Sequence, residues 1–320
     1  MRQLVSVLTL SIILSLAKSI AAQNCPDTTG RFVLESHQHI VGNDIDLTVS
    51  IISCEKDWNA LFPKSSGRWF ITRPSAFSPD GVARFPRQRS STHEAPDYEA
   101  ACKFVAGNLN VSRVDADFCR LGPEQIAMLA TIPRLRRLSV VSTGLKDADL
   151  AGLEEAKGLN ELDLSNNLVG GKGGLSVLRK LRQITILGLA GTQISDSDSE
   201  FICACTELTE LRLHDTAISD ATVQRLTGIR HLEKIDISNC RISNMSADSL
   251  LRLPHLTEVH VSRNNIGEEF LDRISRHTGL VSIWALDTTV SPDYLEKWRA
   301  AHPKIRLFVH SSQSPEEIVK

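Results

Sequence analysis

The feature that most constrains this 320-residue chain is an internal repeat, a block of about 24 residues that recurs in phase from residue 111 toward the C-terminus. Its pattern is apolar-x-x-apolar-x-apolar-x-x-(Asn, Thr or Cys)-x-apolar. One copy places Leu159, Leu162, Leu164, Asn167 and Val169 at these positions, and the next two in closest agreement place Leu208, Leu211, Leu213, Thr216, Ile218 and Leu232, Ile235, Ile237, Cys240, Ile242 there. Another runs through Leu256, Val259, Val261, Asn264 and Ile266. Further copies begin at Val111, Leu135, Ile184 and Leu280, and Leu307 with Val309 continue the phase as a closing strand. A unit this short cannot bury its apolar side alone, so each copy must stack on its neighbours.

Two periodicities alternate inside the block. The apolar-x-apolar core reads as a half-buried strand. Between strands, apolar residues return at helical spacing, as in Ile126, Leu129, Ile132, in Val223, Leu226, Ile229 and in Ala247, Leu250, Leu253. Pro123 and Pro292 suit a first helical turn, where the missing N–H has no intrahelical partner to lose. Parallel strands stack about 4.8 Å apart while packed helices need about 8–10 Å, which predicts an arc with the sheet on its concave face.

The repeat resembles the leucine-rich-repeat family, specifically its bacterial members with a strand and a helix in each repeat. The resemblance covers about two thirds of the chain. It implies an α/β solenoid, a curved parallel sheet backed by helices, in ribonuclease-inhibitor style. It also implies that Asn167 and Asn264 bond neighbouring turns in a ladder, with Thr143, Thr192, Thr216 and Thr288 as partial substitutes. Tyr294 to Pro303 resembles the last helix of such arrays.

Other segments define the organisation. Residues 1–21 read as an export signal, with Arg2, the apolar run Leu4 to Ala17 and small residues at Ser19-Ile20-Ala21. Its removal leaves 34 basic against 38 acidic residues, a formal charge of −4, so nucleic acid is not an expected partner. No later stretch approaches the roughly 20 apolar residues of a membrane span. The expected location is periplasmic or extracellular. Residues 22–72 form a small amino-terminal region outside the repeat, with a strand at Ile45 to Ile52 and a short helix at Trp58 to Phe62. Residues 73–96, rich in Pro, Ser and Arg, read as a connector; 97–310 as the repeat domain, opening on a helix from Tyr98 to Ala106; and 311–320 as a flexible tail.

The seven cysteines are an odd number for an exported chain. Cys119 and Cys240 occupy the turn slot and Cys205 a core position, while Cys203 is expected to be exposed. Cys25 and Cys54 are a candidate pair, with Cys102 competing for either. The glycine run Gly170 to Gly174 lacks the spacing of a phosphate loop and reads as room for an extra residue in a 25-residue repeat. His37 and His39 share a strand face but have no third ligand in a metal motif. No Ser/His/Asp or Cys/His constellation and no paired carboxylates stand out, so neither an enzyme nor a cofactor is expected.

The leading expectation is therefore a binding or scaffolding protein that engages a macromolecule, foremost a protein, on its concave face. Carbohydrate or cell-envelope binding, and substrate recognition for chemistry in the amino-terminal region, stand as alternatives. Outward positions place His260, Trp284 and Phe308 in one row, with Ser262, Leu286 and His310 beside it. Of these, His260, Trp284, Phe308, Leu286 and His310, together with Arg212 and His214, are the candidate contact residues. The start of the same rows carries Asp115, Asp117, Ser139 and Asp163, and the middle is small, at Gly188 and Ala190.

Overall fold

The structure is a computed structural model that describes residues 34–41, 44–51, 71–72, 81–84, 98–107, 111–171 and 174–309, the first four segments as backbone. The export signal, the Cys25–Cys54 pair, the Trp58–Phe62 helix, His310 and the tail lie outside the described residues.

Two strands, β1 (Leu34–Val41) and β2 (Asp44–Ile51), form an antiparallel hairpin in the amino-terminal region, with His39 opposite Asp46. The main sheet has eleven strands. Nine come from the repeats: β5 (Val111–Asp115), β6 (Arg137–Ser139), β7 (Glu161–Asp163), β8 (Ile186–Gly188), β9 (Glu210–Arg212), β10 (Lys234–Asp236), β11 (Glu258–His260), β12 (Ser282–Trp284) and β13 (Arg306–Phe308). All nine run parallel in unbroken sequence order. Inside the segment read as a connector, β4 (Gly81–Arg84) pairs parallel with β5, and β3 (Ile71–Thr72), at the end of the amino-terminal region, pairs antiparallel with β4. An antiparallel outer strand ends the parallel ladder on that side.

The core runs the length of the array. Each strand sends one residue inward, from Val114, Leu138 and Leu162 through Leu211 and Ile235 to Ile283, all at most 1% exposed. The convex side meets them with Ile126, Leu153, Leu178, Ile202, Val223, Leu250 and Ile274. The helix from Tyr98 to Ala106 covers the first repeat with Ala101, Cys102 and Val105.

The convex segments are thinner than the apolar spacing suggests. Pro123–Ala130, Asp220–Leu226, Glu268–Ile274 and Pro292–Ala301 are α-helical, but Asp147–Glu155 and Gly174–Lys180 wind as 3-10 turns. The tighter winding brings backbones close: a Cβ on Gly152 would meet the Ala127 backbone at 2.7 Å. Narrow elements bring the spacing of the convex side toward that of the strands.

Two polar ladders lock the repeats in register. In the first, Asn167 Oδ1 accepts the backbone N–H groups of Thr143 (3.1 Å) and Leu145 (3.0 Å), and its Nδ2 donates to the carbonyls of Val140 and Leu164. Asn264 does the same for Cys240, Ile242, Ile237 and Val261. Thr192 and Thr288 donate only to carbonyls of their own turns, and Thr216, which donates to the Leu213 carbonyl, adds a 3.6 Å contact with Cys240 Sγ of the next repeat. A hydroxyl lacks the paired donor and acceptor geometry of an amide. The ladder meets a recurring need, because the residue before each turn slot is left-handed: Ser142, Asn166, Asp215, Asn239, Arg263 and Asp287 have φ of 49–57°.

The second ladder is not evident in the repeat pattern. Asp147 accepts the N–H of Gly170, Asp196 that of Ser219, Asp220 that of Ser243, and Asn244 that of Gly267. Each acts on the following repeat. At the 25-residue repeat Asp198, fully buried, reaches backward instead to Gly171, while its other oxygen accepts from Ser195. Gly170 and Gly171, at φ of 105° and 75°, make the extra residue possible.

Candidate functional site

The short parallel strands expose three rows across the concave sheet. Reading along β5 to β13, the central row is Asp115, Ser139, Asp163, Gly188, Arg212, Asp236, His260, Trp284 and Phe308, because these residues pair in register from strand to strand. One flanking row holds Arg137, Glu161, Glu210 and Glu258. The other holds His214, Ser262 and Leu286.

In the first part of the face the charges consume one another. Arg137 lies 3.2 Å from Glu161 and 3.8 Å from Asp115. Arg212 lies 2.5 Å from Glu210 and reaches 3.3 Å to Asp163, two strands away. That reach depends on Gly188, the intervening residue, where any Cβ would collide with the Asp163 carboxylate. The expected small middle is thus filled from both sides by Asp163 and Arg212, and Ala190 is buried. Arg212 remains outward, with its side chain 40% exposed.

His214 forms the next link, with Nδ1 3.0 Å from Asp236 Oδ2. The Asp236 carboxylate beside it outweighs desolvation and raises the imidazole above its ordinary value. Burial opposes ionisation of Asp236, but the His214 imidazole beside it and the hydrogen bond from Ser238 prevail and hold the carboxyl below the usual range. The pair favours its charged form.

Beyond Asp236 the row turns aromatic. His260 and Trp284 stack at 5.3 Å between ring centres and 15° between planes, and Trp284 and Phe308 at 3.9 Å and 11°. Strand spacing of about 4.8 Å sets this distance, since in-register residues on adjacent parallel strands sit one strand apart. All three side chains are partly exposed. His260 Nε2 is also 2.7 Å from Glu258. Beside the column, Ser262 accepts the Leu286 N–H and donates to the Trp284 carbonyl, which fixes the backbone of partly exposed Leu286 two residues beyond Trp284. The structure therefore brings His260, Trp284, Phe308 and Leu286 together, with Arg212 and His214 one to two strands away; His310 lies outside the described residues.

The cysteines are placed for packing. Among the described residues Cys102, Cys203, Cys205 and Cys240 are free thiols. Burial pushes Cys102 and Cys205 up to about 12, with neighbouring Cys119 and Cys203 adding to it. Cys240 is raised as well, by burial, and its Sγ sits 3.3 Å from the Leu213 carbonyl. Cys203 corrects the expectation of exposure. It is partly buried against the core, its Sγ 3.5 Å from the Arg225 carbonyl, because the next repeat's helix covers it. Thiols raised in this way are poor nucleophiles at neutral pH. Among the described residues no group of three His, Cys, Asp or Glu could hold a metal ion, and no helix is long and apolar enough to cross a membrane.

A search of the curated proteins found no match. The leucine rich repeat family model matches residues 206–266, the span of β9 to β11. Among solved structures, internalin C2 of Listeria monocytogenes is similar at 20% identity and TM-score 0.46, over 71% of this chain and 89% of its own. An internalin, inlF, of the same organism is similar at 14% identity and TM-score 0.40, over 81% and 94%. A chain of a TLR13–ssRNA13 complex is similar at 14% identity and TM-score 0.48 over 74% of this chain, which spans 34% of that chain's length. The family match over residues 206–266 and the nine in-register strands, the first eight each followed by a turn and a convex segment, agree: the chain carries leucine rich repeats in an α/β solenoid fold.

Proposed function

We propose that this is an exported binding module that captures a protein partner on the C-terminal part of its concave face. The contact centres on His260, Trp284, Phe308 and Leu286 and is flanked by Arg212 and His214. The observation that supports it is the stacked aromatic column, partly exposed on a rigid sheet. Aromatic side chains held in place lose little entropy on binding, and buried aromatics dominate interface energies at about 2 kcal/mol or more each. Export rests on the sequence of residues 1–21.

The column also favours a protein over a carbohydrate. A sugar stacks on an open ring face, but both faces of the Trp284 indole are occupied, by His260 on one side and Phe308 on the other. What the column offers a partner is a line of ring edges next to Leu286, suited to apolar side chains. Peptide and glycan arrays probed side by side with the purified protein test this. Peptide signals that fall in Trp284→Ala support the reading. Signals confined to glycans would refute it.

A further inference from the structure

The two rims of the solenoid differ in charge, and the difference has a physical source. The loops leading into β6 to β13 (130–136, 154–160, 179–185, 203–209, 227–233, 251–257, 275–281 and 299–305) hold eleven Lys or Arg against four Asp or Glu, in a chain of formal charge −2. On the opposite rim, acidic residues prevail, but several are already committed. Asp147, Asp196, Asp198 and Asp220 accept backbone N–H groups of adjacent repeats and hold the register.

On the basic rim Arg136, Arg182 and Arg299 donate to the carbonyls of Gly158, Arg179 and Leu307, but most of the other charges have no such internal role. Arg134, Lys180, Arg230, Arg252, Arg276 and Lys304 are exposed and, among the described residues, have no carboxylate within ion-pair distance. Only Lys157 and Arg179 pair on this rim, with Glu155 at 3.9 Å and Glu200 at 3.3 Å. Like charges one repeat apart repel, so the arrangement costs stability and is neutralised only from outside.

We infer that this rim docks on an anionic membrane surface. Because successive repeats are related by a regular stacking step, their equivalent loops lie side by side along one flank of the solenoid. The charges spread from the ends of the convex segments to the starts of the strands and are not gathered in a groove that would hold a polymer chain. The eight loops contain no Phe, Tyr or Trp on which bases could stack. Lys and Arg near an anionic lipid surface attract it additively, with a reach of one Debye length. Docked on this rim, the solenoid would leave its concave face open to the side, free to take a protein partner.

The test is flotation of the purified protein with vesicles of phosphatidylcholine alone or with about 30% phosphatidylglycerol, at low and at about 0.5 M salt. The protein should float with the anionic vesicles only, and salt should release it. The triple variant Arg230→Glu, Arg252→Glu, Arg276→Glu should bind at least tenfold less with an unchanged thermal midpoint, whereas Trp284→Ala should float like the parent. Absence of a phosphatidylglycerol preference, or undiminished flotation of the triple variant, would overturn the inference. So would stronger binding to heparin or duplex DNA at equal charge concentration, which would assign the rim to a linear polyanion. A negative result here leaves the concave-face reading untouched, because that reading is tested by Trp284→Ala and peptide capture.

Discussion

The concave face is built twice on one scaffold, with opposite outcomes. From β5 to β9 its charged outward residues pair with each other, through Arg137 with Asp115 and Glu161, and Arg212 with Glu210 and Asp163. From β11 to β13 they are aromatic rings that stack in a column and leave their edges uncovered. A partner meeting the first region must desolvate charges that already have partners, with little net return. In the second region it removes apolar surface from water at no such cost. The same strand geometry thus yields a self-neutralised surface in one place and, as proposed, a receptive one in the other, decided by single outward residues.

This comparison holds only if the inward rows are equivalent in both regions. Leu211 and Ile283 are both fully buried, so Leu211→Ala and Ile283→Ala should each cost about 2–5 kcal/mol in denaturant titration. By contrast Arg212→Ala, at a partly exposed ion pair, should cost less than about 1 kcal/mol. Equal losses for Leu211→Ala and Arg212→Ala would mean that the assigned strand faces are wrong.

A somewhat smaller effect is expected where the regions share their polar ladder. Asn264→Ala and Asn167→Ala each leave two backbone N–H groups and several carbonyls without their partner, costing about 2–3 kcal/mol. A cost near zero in chemical denaturation would remove the ladder from the account of register.

Gly188→Ala separates the regions. The new Cβ displaces the Asp163 carboxylate from Arg212, for a loss below about 1 kcal/mol, while capture of a partner by the aromatic column should be unchanged. A binding defect as large as that of Trp284→Ala would show that the ion-paired region also takes part.

The smallest effect is in pH dependence, at the boundary between the two regions. His214 is raised in the folded state, so its contribution is present below its unfolded pKa and is lost as pH rises through the folded one. Asp236 is lowered, so its contribution is present above the unfolded carboxyl pKa and is lost as pH falls through the folded one. The thermal midpoint should therefore peak between the carboxylate and imidazole ranges, and Asp236→Asn should flatten the alkaline side of that peak. An identical profile in Asp236→Asn would contradict the pairing.

Much of this architecture can be read from sequence because the period is nearly constant. Once Leu211 is placed inward, alternation sends Arg212 outward, and a step of about 24 residues carries the assignment to Trp284 and Phe308. The in-register stack of His260, Trp284 and Phe308 follows from that arithmetic. Contacts between repeats are less accessible. The reach of Arg212 across Gly188 to Asp163 joins residues two strands apart, and the Asp147, Asp196 and Asp220 ladder uses acids that look like ordinary first-turn helix residues. Cys203 looked exposed for the same reason, since its cover comes from the following repeat. The 3-10 turns depend on how closely Gly152 approaches Ala127, which spacing within one repeat does not encode.

The most direct test of the central claim is to capture a native protein partner by crosslinking and to measure its affinity for the parent, Trp284→Ala and Arg212→Ala. Trp284→Ala should weaken binding at least tenfold with a nearly unchanged thermal midpoint, and Arg212→Ala should stay within about threefold. Equal affinity for the parent and Trp284→Ala, or a Trp284→Ala variant that loses stability but not binding, would contradict the assignment of the aromatic column as the receptive half of the face.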